Sequence, residues 1–134
     1  MNVVIVGCGR VGSAIAAKLH REHHVTVIDW NPASFARLPE EFNGETVVGN
    51  GIDVDTLLSV GVDAAEVFLA LTDGDNRNLM AAQIAKHLGA KQTVARVYDA
   101  ERSGIFSDTD FITFSPTIEG ARRLFDLAVG DLED

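Results

Sequence analysis

Short apolar runs alternate with longer amphipathic stretches from one end of the chain to the other. Val3-Val4-Ile5-Val6 comes first, and such a near-continuous β-branched run predicts a strand buried on both faces. Helical spacing of Val11, Ile15 and Leu19 follows over Val11–Arg21. Further strands are predicted over Val25–Asp29, Glu45–Val48, Glu66–Leu71, Gln92–Val97 and Asp110–Phe114. Between them the pattern predicts a short helix near Ala33–Leu38 opened by Pro32, and another over Asp53–Ser59 capped by Asp53. Asp75–Leu88 reads as the clearest helix, with Gly89 just beyond its end. A brief helix near Ala100–Phe106 and a last one over Thr117–Val129, started by Ser115-Pro116, complete the series.

Six strands separated by helices predict an α/β fold, a Rossmann-like doubly wound parallel sheet with helices on both faces. Right-handed crossovers then give the strand order 3-2-1-4-5-6. No Pro- or Ser-rich linker or internal repeat interrupts the pattern, so residues 1–129 read as one domain and 130–134 as an acidic tail.

A chain of 134 residues can bury a core of its own but leaves no room for a separate substrate domain. Its net charge of −9 argues against a broad basic face for DNA, RNA or anionic membrane. Salt adaptation or an ordinary acidic composition would both explain that surplus. No apolar run approaches the roughly 20 residues that span a bilayer. The opening strand runs straight into a glycine motif, unlike a signal peptide. One cysteine, Cys8, cannot form an internal disulfide, which suits a reducing cytoplasm.

The glycine motif carries the chemistry. Gly7-Cys8-Gly9-Arg10-Val11-Gly12 sits between the first strand and the first helix, where glycines permit a tight turn and close approach of backbone to phosphate. The positive end of the helix then faces the anion. Asp29, at the end of the second strand, can accept hydrogen bonds from an adenosine ribose and repels a 2′-phosphate. The expected ligand is therefore NAD(H), ATP, ADP or AMP, and not NADP. Arg10 could fold onto phosphate oxygens; otherwise it is an exposed cation at an unfavourable helix end. Cys8 reads as a small loop side chain. Asn31 could touch ribose or adenine, or simply make an Asn-Pro turn. His20, His23 and His24 cluster without a further ligand at metal spacing and read as a polar loop.

Taken in order, these motifs become specific. The glycine run, Val27-Ile28-Asp29, Val48-Gly49-Asn50-Gly51-Ile52-Asp53, Ala70-Leu71-Thr72-Asp73-Gly74-Asp75-Asn76-Arg77-Asn78-Leu79, Val94-Ala95-Arg96-Val97 and Phe114-Ser115-Pro116 span nearly the whole chain. The series resembles the nucleotide-binding N-terminal module of the RCK family, the KTN or Trk-type NAD-binding domains that regulate potassium channels and transporters. That resemblance implies that Gly7, Gly9, Arg10 and Gly12, with Cys8 and Val11 between them, hold phosphates. It places Asp29 on the ribose, with Trp30 and Asn31 alongside. Asn50, Gly51 and Ile52 would line the adenine edge, with Asp53 behind. Thr72 and Asp73 would face distal phosphates or a second nucleoside, Leu71 and Asn78 belonging to the same set, with Arg96 nearby on the fifth strand. Capping explains Asp53 and Asp75 equally well, and a buried ion pair would explain Arg96.

Two departures from the family pattern stand out. Asn50 and Gly51 replace the usual acid and alanine, and the chain stops where a C-terminal ligand-binding subdomain would follow. A free-standing module or part of something longer would both fit. The implied function is a cytoplasmic, non-enzymatic adenine-nucleotide sensor, held at the inner membrane face by a potassium-transporter or channel subunit and assembled as a homodimer or higher RCK-type assembly. The last helix, with Ile118, Ala121, Leu124, Phe125 and Ala128 in one stripe, would either pair two modules or pack on its own sheet. A small NAD-dependent oxidoreductase, or a cofactor-binding subunit of one, is the alternative function. A domain that keeps the fold but has lost its ligand is a third.

Overall fold

The computed structural model describes residues 1–105 and 110–133. Six parallel strands form one sheet in the order β3-β2-β1-β4-β5-β6. They are β1 (Asn2–Val6), β2 (His24–Asp29), β3 (Glu45–Val48), β4 (Val67–Ala70), β5 (Gln92–Arg96) and β6 (Ile112–Phe114). The helices are α1 (Arg10–Leu19), α2 (Val54–Ser59), α3 (Asp75–Leu88), α4 (Ala100–Ile105) and α5 (Pro116–Glu133). Two 3₁₀ turns, Pro32–Arg37 and Val62–Ala64, lie between them.

Alternation along β1 explains why both faces must be covered. Val3 and Ile5 point into one cluster with Val25, Val27 and Ala16, flanked by Ile15 and Leu19 of α1. Val4 and Val6 point into the other, with Ile28, Phe68, Leu57 of α2 and Leu79, Ala82 and Ala85 of α3. Successive side chains of a strand face opposite ways, so an apolar run needs a helix layer on each side. The small residues of α3 let it lie close over β4 and β5.

Several local expectations shift. Val11 was expected on the buried stripe of α1, yet it is exposed, and Gly12, Ser13 and Ala16 are the residues α1 buries. The reason is how closely the helix backbone approaches the glycine turn. Asp75 does not cap α3: Gly74 holds that position, and the Asp75 carboxylate instead accepts the Tyr98 and Asp99 N–H groups at 2.8 and 3.0 Å. α3 keeps its expected bounds. The helix near Ala100 spans Ala100–Ile105, and Phe106, its expected last residue, lies outside the described residues.

The largest difference is α5. It runs on through Gly130 to Glu133 instead of giving way to a tail at residue 130; Leu132, seven residues after Phe125 and four after Ala128, extends the apolar stripe past Gly130. Nor does it pack on its own sheet. Leu124, Phe125, Leu127 and Leu132 are 67%, 56%, 65% and 83% exposed, so of the two expected uses of that stripe, burial against the domain is not the one adopted. No helix among the described residues is long and apolar enough to cross a membrane.

Removing a fully buried aromatic should therefore cost far more than trimming α5. Phe68→Ala is expected to lower the unfolding free energy by about 3–5 kcal/mol, and Leu132→Ala to change it by less than about 0.5 kcal/mol in dilute protein. Urea denaturation of the two variants measures both.

Candidate functional site

The sheet order reverses between β1 and β4, and a cavity of about 910 Å³ opens there, at the carboxyl ends of the strands. Ligand crevices of open α/β sheets form at this point because adjacent crossovers leave in opposite directions. Fourteen of the expected residues line it: Gly7, Gly9, Arg10 and Val11; Asp29, Trp30 and Asn31; Asn50, Gly51 and Ile52; Leu71, Thr72 and Asp73; and Arg96. Cys8, Gly12, Asp53 and Asn78 do not.

The turn before α1 is built by exclusion of side chains. Gly7 has φ +105°, and a Cβ there would stand 2.8 Å from the Leu71 carbonyl carbon. A Cβ on Gly12 would stand 1.9 Å from the Gly7 oxygen. Only two glycines permit this approach, which brings the first turn of α1 against the end of β1 and the glycine turn against Leu71, just past β4. No side chain caps α1, and its first turn holds no acid. Its uncapped N–H groups and positive dipole end thus stand at the cavity wall beside exposed Arg10, a cation that the helix end disfavours until an anion arrives.

Asp29 ties two loops together. One carboxylate oxygen accepts the Cys8 N–H at 2.8 Å and the other the Asn31 N–H at 2.9 Å. These bonds fix the carboxylate at the cavity edge, and each oxygen keeps a lone pair for a ligand hydroxyl. Cys8 contributes that N–H while its side chain is buried in the core. Burial, and then the Asp29 charge, push its thiol pKa up, while Arg37 pulls the other way.

Several expected ligand contacts have structural partners already. Asp53 caps α2 through the Thr56 N–H and hydroxyl, at 3.3 and 2.7 Å. Asn31 accepts the Ala33 N–H at 3.1 Å, and Asn50 the Ile52 N–H at 3.1 Å, so both amides shape their own turns. Gly51 has a spatial reason: a Cβ would meet a Val6 methyl at 2.3 Å.

Buried Asn78 organises the far wall. Its oxygen accepts from the Thr72 N–H and hydroxyl at 2.9 and 2.6 Å, and its amide nitrogen donates to the Thr72 and Arg96 carbonyls at 2.8 Å each. Arg96, 8% exposed, donates through Nη2 to the Leu71 and Thr72 carbonyls at 2.7 and 2.9 Å and lies 5.0 Å over the Tyr98 ring. It enters no ion pair among the described residues, so the buried pair that its apolar strand position allowed is not what holds it. Asp73 and Arg77 form an exposed pair at 3.3 Å.

Ser34, Arg37, Arg77 and Tyr98 also line the cavity, and sequence reasoning missed them. Arg37 ends the 3₁₀ turn that follows Asp29, and Tyr98 follows Arg96 by two residues; reading each loop to its end would have found both. The three histidines border one surface cavity of about 280 Å³ but meet different partners. His20 is buried against Phe42, its Nδ1 bonded to Asn43, whereas His23 meets the N-terminal amine and His24 lies near Glu45. No group of three His, Cys, Asp or Glu side chains among the described residues could hold a metal.

The model of the TrkA-N domain matches residues 3–113. The chain belongs to the TrkA-N family. It is 45% identical over 108 residues to the Trk system potassium uptake protein TrkA of Streptomyces coelicolor, covering 79% of this chain and 48% of that protein. The chain spans about half the length of that relative, and only 23% and 21% of the TrkA proteins of Archaeoglobus fulgidus and Vibrio alginolyticus. The TrkA-N domain of the inner membrane protein ybaL from Escherichia coli superposes with a TM-score of 0.81 at 18% identity, covering 95% of this chain and 96% of that one. A Shewanella denitrificans Kef C-terminal domain in its AMP-bound form gives 0.74 at 21% identity, covering 100% of this chain and 83% of that one. At these identities both structures speak for the fold alone.

In this TrkA-N chain the glycine-loop cysteine is packed away, so it should be chemically quiet. Native protein at pH 8 is expected to react with Ellman's reagent far more slowly than urea-unfolded protein. Fast stoichiometric labelling of the native state would contradict the buried placement. The raised thiol pKa has a definite sign: the folded state keeps a proton that the unfolded state releases, so this contribution to stability fades as pH rises through the thiol range.

Proposed function

We propose that this TrkA-N chain is a regulatory module of potassium uptake that binds an adenine nucleotide, NAD(H) or ATP, ADP or AMP, and carries out no catalysis of its own. The observation that carries this reading is the pairing of an uncapped α1 terminus with the fixed Asp29 carboxylate across one cavity. Phosphates would sit on the free N–H groups of α1 with Arg10 alongside, and the ribose hydroxyls on Asp29. The relation to a Trk potassium uptake protein supports the choice of process.

Regulation requires two geometries that bind the nucleotide unequally. The exposed apolar face of α5 supports a homodimer or higher assembly, whose geometry a potassium-transporting membrane subunit would sense, with the module on the cytoplasmic side. Ser34 and Arg37 share the Asp29 end of the cavity, and Asp29 rejects a 2′-phosphate there through charge repulsion.

A thermal-shift panel tests this. At 100 times its Kd a ligand stabilises by about 2.7 kcal/mol, so at least one of NADH, NAD⁺, ATP, ADP and AMP should raise Tm by several degrees. NADPH should leave it unchanged at the same concentration. Asp29→Ala should abolish every such shift; a variant that still responds would show that the ribose lies elsewhere.

A further inference from the structure

Two Asn-Gly pairs stand in this chain, Asn43-Gly44 and Asn50-Gly51. Such pairs are chemically labile, because glycine has no side chain to hinder its backbone nitrogen from reaching the asparagine amide carbon. The fold treats the two pairs differently.

At Asn50 the reacting groups are left open. Its side chain is exposed and lines the main cavity. Oδ1 accepts the Ile52 N–H at 3.1 Å, so a donor already sits where negative charge develops when the amide carbon is attacked. A fixed donor at that position lowers the barrier. The attacking atom is free as well, since the Gly51 N–H donates to no group among the described residues. Glycine is also required at 51, because a Cβ there would stand 2.3 Å from a Val6 methyl. Asn43 is held in another way. Its Oδ1 lies 3.1 Å from His20 Nδ1, and its own N–H donates to that nitrogen at 3.4 Å. The His20 ring is buried against Phe42, which ties this asparagine to the core.

We propose that Asn50 is a self-modification site, deamidated by the adjoining backbone. The Gly51 nitrogen gives its proton to solvent hydroxide, bonds to the Asn50 amide carbon and expels the side-chain nitrogen, which takes a proton from water and leaves as ammonia. Water then opens the resulting succinimide at either carbonyl, giving aspartate or isoaspartate. Overall one water is consumed and one ammonia released, with no oxidant, metal or second enzyme. Both products add a negative charge to the cavity wall. Isoaspartate also lengthens the main chain by one carbon beside a glycine that has no room to spare, so Ile52 must shift. A nucleotide seated as proposed above covers Asn50; on that reading ligand slows the conversion, and conversion weakens the ligand.

Wild-type protein incubated at pH 8 and 37 °C, native and in urea, and sampled by peptide mass spectrometry provides the test. Native protein should convert Asn50 at least about fivefold faster than Asn43, and no more slowly than unfolded protein converts it. Slower conversion in the native state than in urea, or equal native rates at the two asparagines, would overturn the proposal, because the fold would then not promote the reaction. Ile52→Pro removes the N–H on Oδ1 and should slow the native reaction at Asn50; an unchanged rate in the folded variant would also count against the proposal. If that variant fails to fold, the comparison of native and unfolded wild type decides alone. Millimolar ADP or NADH should slow Asn50 and leave Asn43 unchanged. Rapid conversion that neither nucleotide slows would support the modification and contradict the placement of a nucleotide over Asn50, so the two readings fail separately.

Discussion

The site depends on one steric constraint, the contact of the α1 backbone with the turn that precedes it. The space between Gly7 and Gly12 admits no Cβ on either residue. With that approach made, the Gly7 N–H reaches the Ile28 carbonyl at 2.8 Å and the Cys8 N–H reaches Asp29. Strands β1 and β2 are thereby locked to the helix whose N–H groups remain free. An alanine at either glycine would have to push β4 or the helix away, and the cavity wall would move with it. The same contact explains why Val11 ends up exposed at the cavity rim: the stripe of α1 that faces the sheet is the one with the smallest side chains.

The two walls of the cavity are held by different means. Backbone groups and a single carboxylate define the β2 side. Side-chain polar groups define the β4–β5 side, where Asn78 answers Thr72 and Arg96 together and is itself fully buried. A satisfied buried network of this kind fixes geometry tightly. Arg96 is the one member with donors to spare, and its neighbour Tyr98 is tied onward to α5, whose Thr117 hydroxyl donates to the Tyr98 carbonyl at 3.4 Å. The far wall is thus physically continuous with the helix whose apolar face is open.

How much could be read in advance follows from which forces are local. Strand order and layering were legible because β-branched runs such as Val3–Val6 leave no choice but a parallel sheet covered twice. The glycine turn and Asp29 were legible because their chemistry is tied to spacing. Asp53, Asn31 and Asn50 illustrate what is not: their side chains bond N–H groups two or three residues away, and those contacts look the same in sequence as ligand contacts. Arg37 and Tyr98 reach the cavity only through the path of a loop. The end of α5 was hidden because Gly130 and the acidic residues around it read as a stop, whereas Phe125, Ala128 and Leu132 carry the helix pattern through them. Membership of the TrkA-N family agrees with the ordered motifs.

The central claim is that the free end of α1 and the Asp29 loop grip one nucleotide together. The most direct measurement is a ¹⁵N–¹H correlation spectrum of the labelled protein titrated with ADP and, separately, NADH. The account predicts saturable shifts of the Gly9, Arg10, Val11 and Gly12 amides together with Asn31 and Ile52, with one common Kd for each ligand. Shifts confined to other surfaces, such as the His20–His24 loop, or no saturable shifts at millimolar ligand, would contradict it.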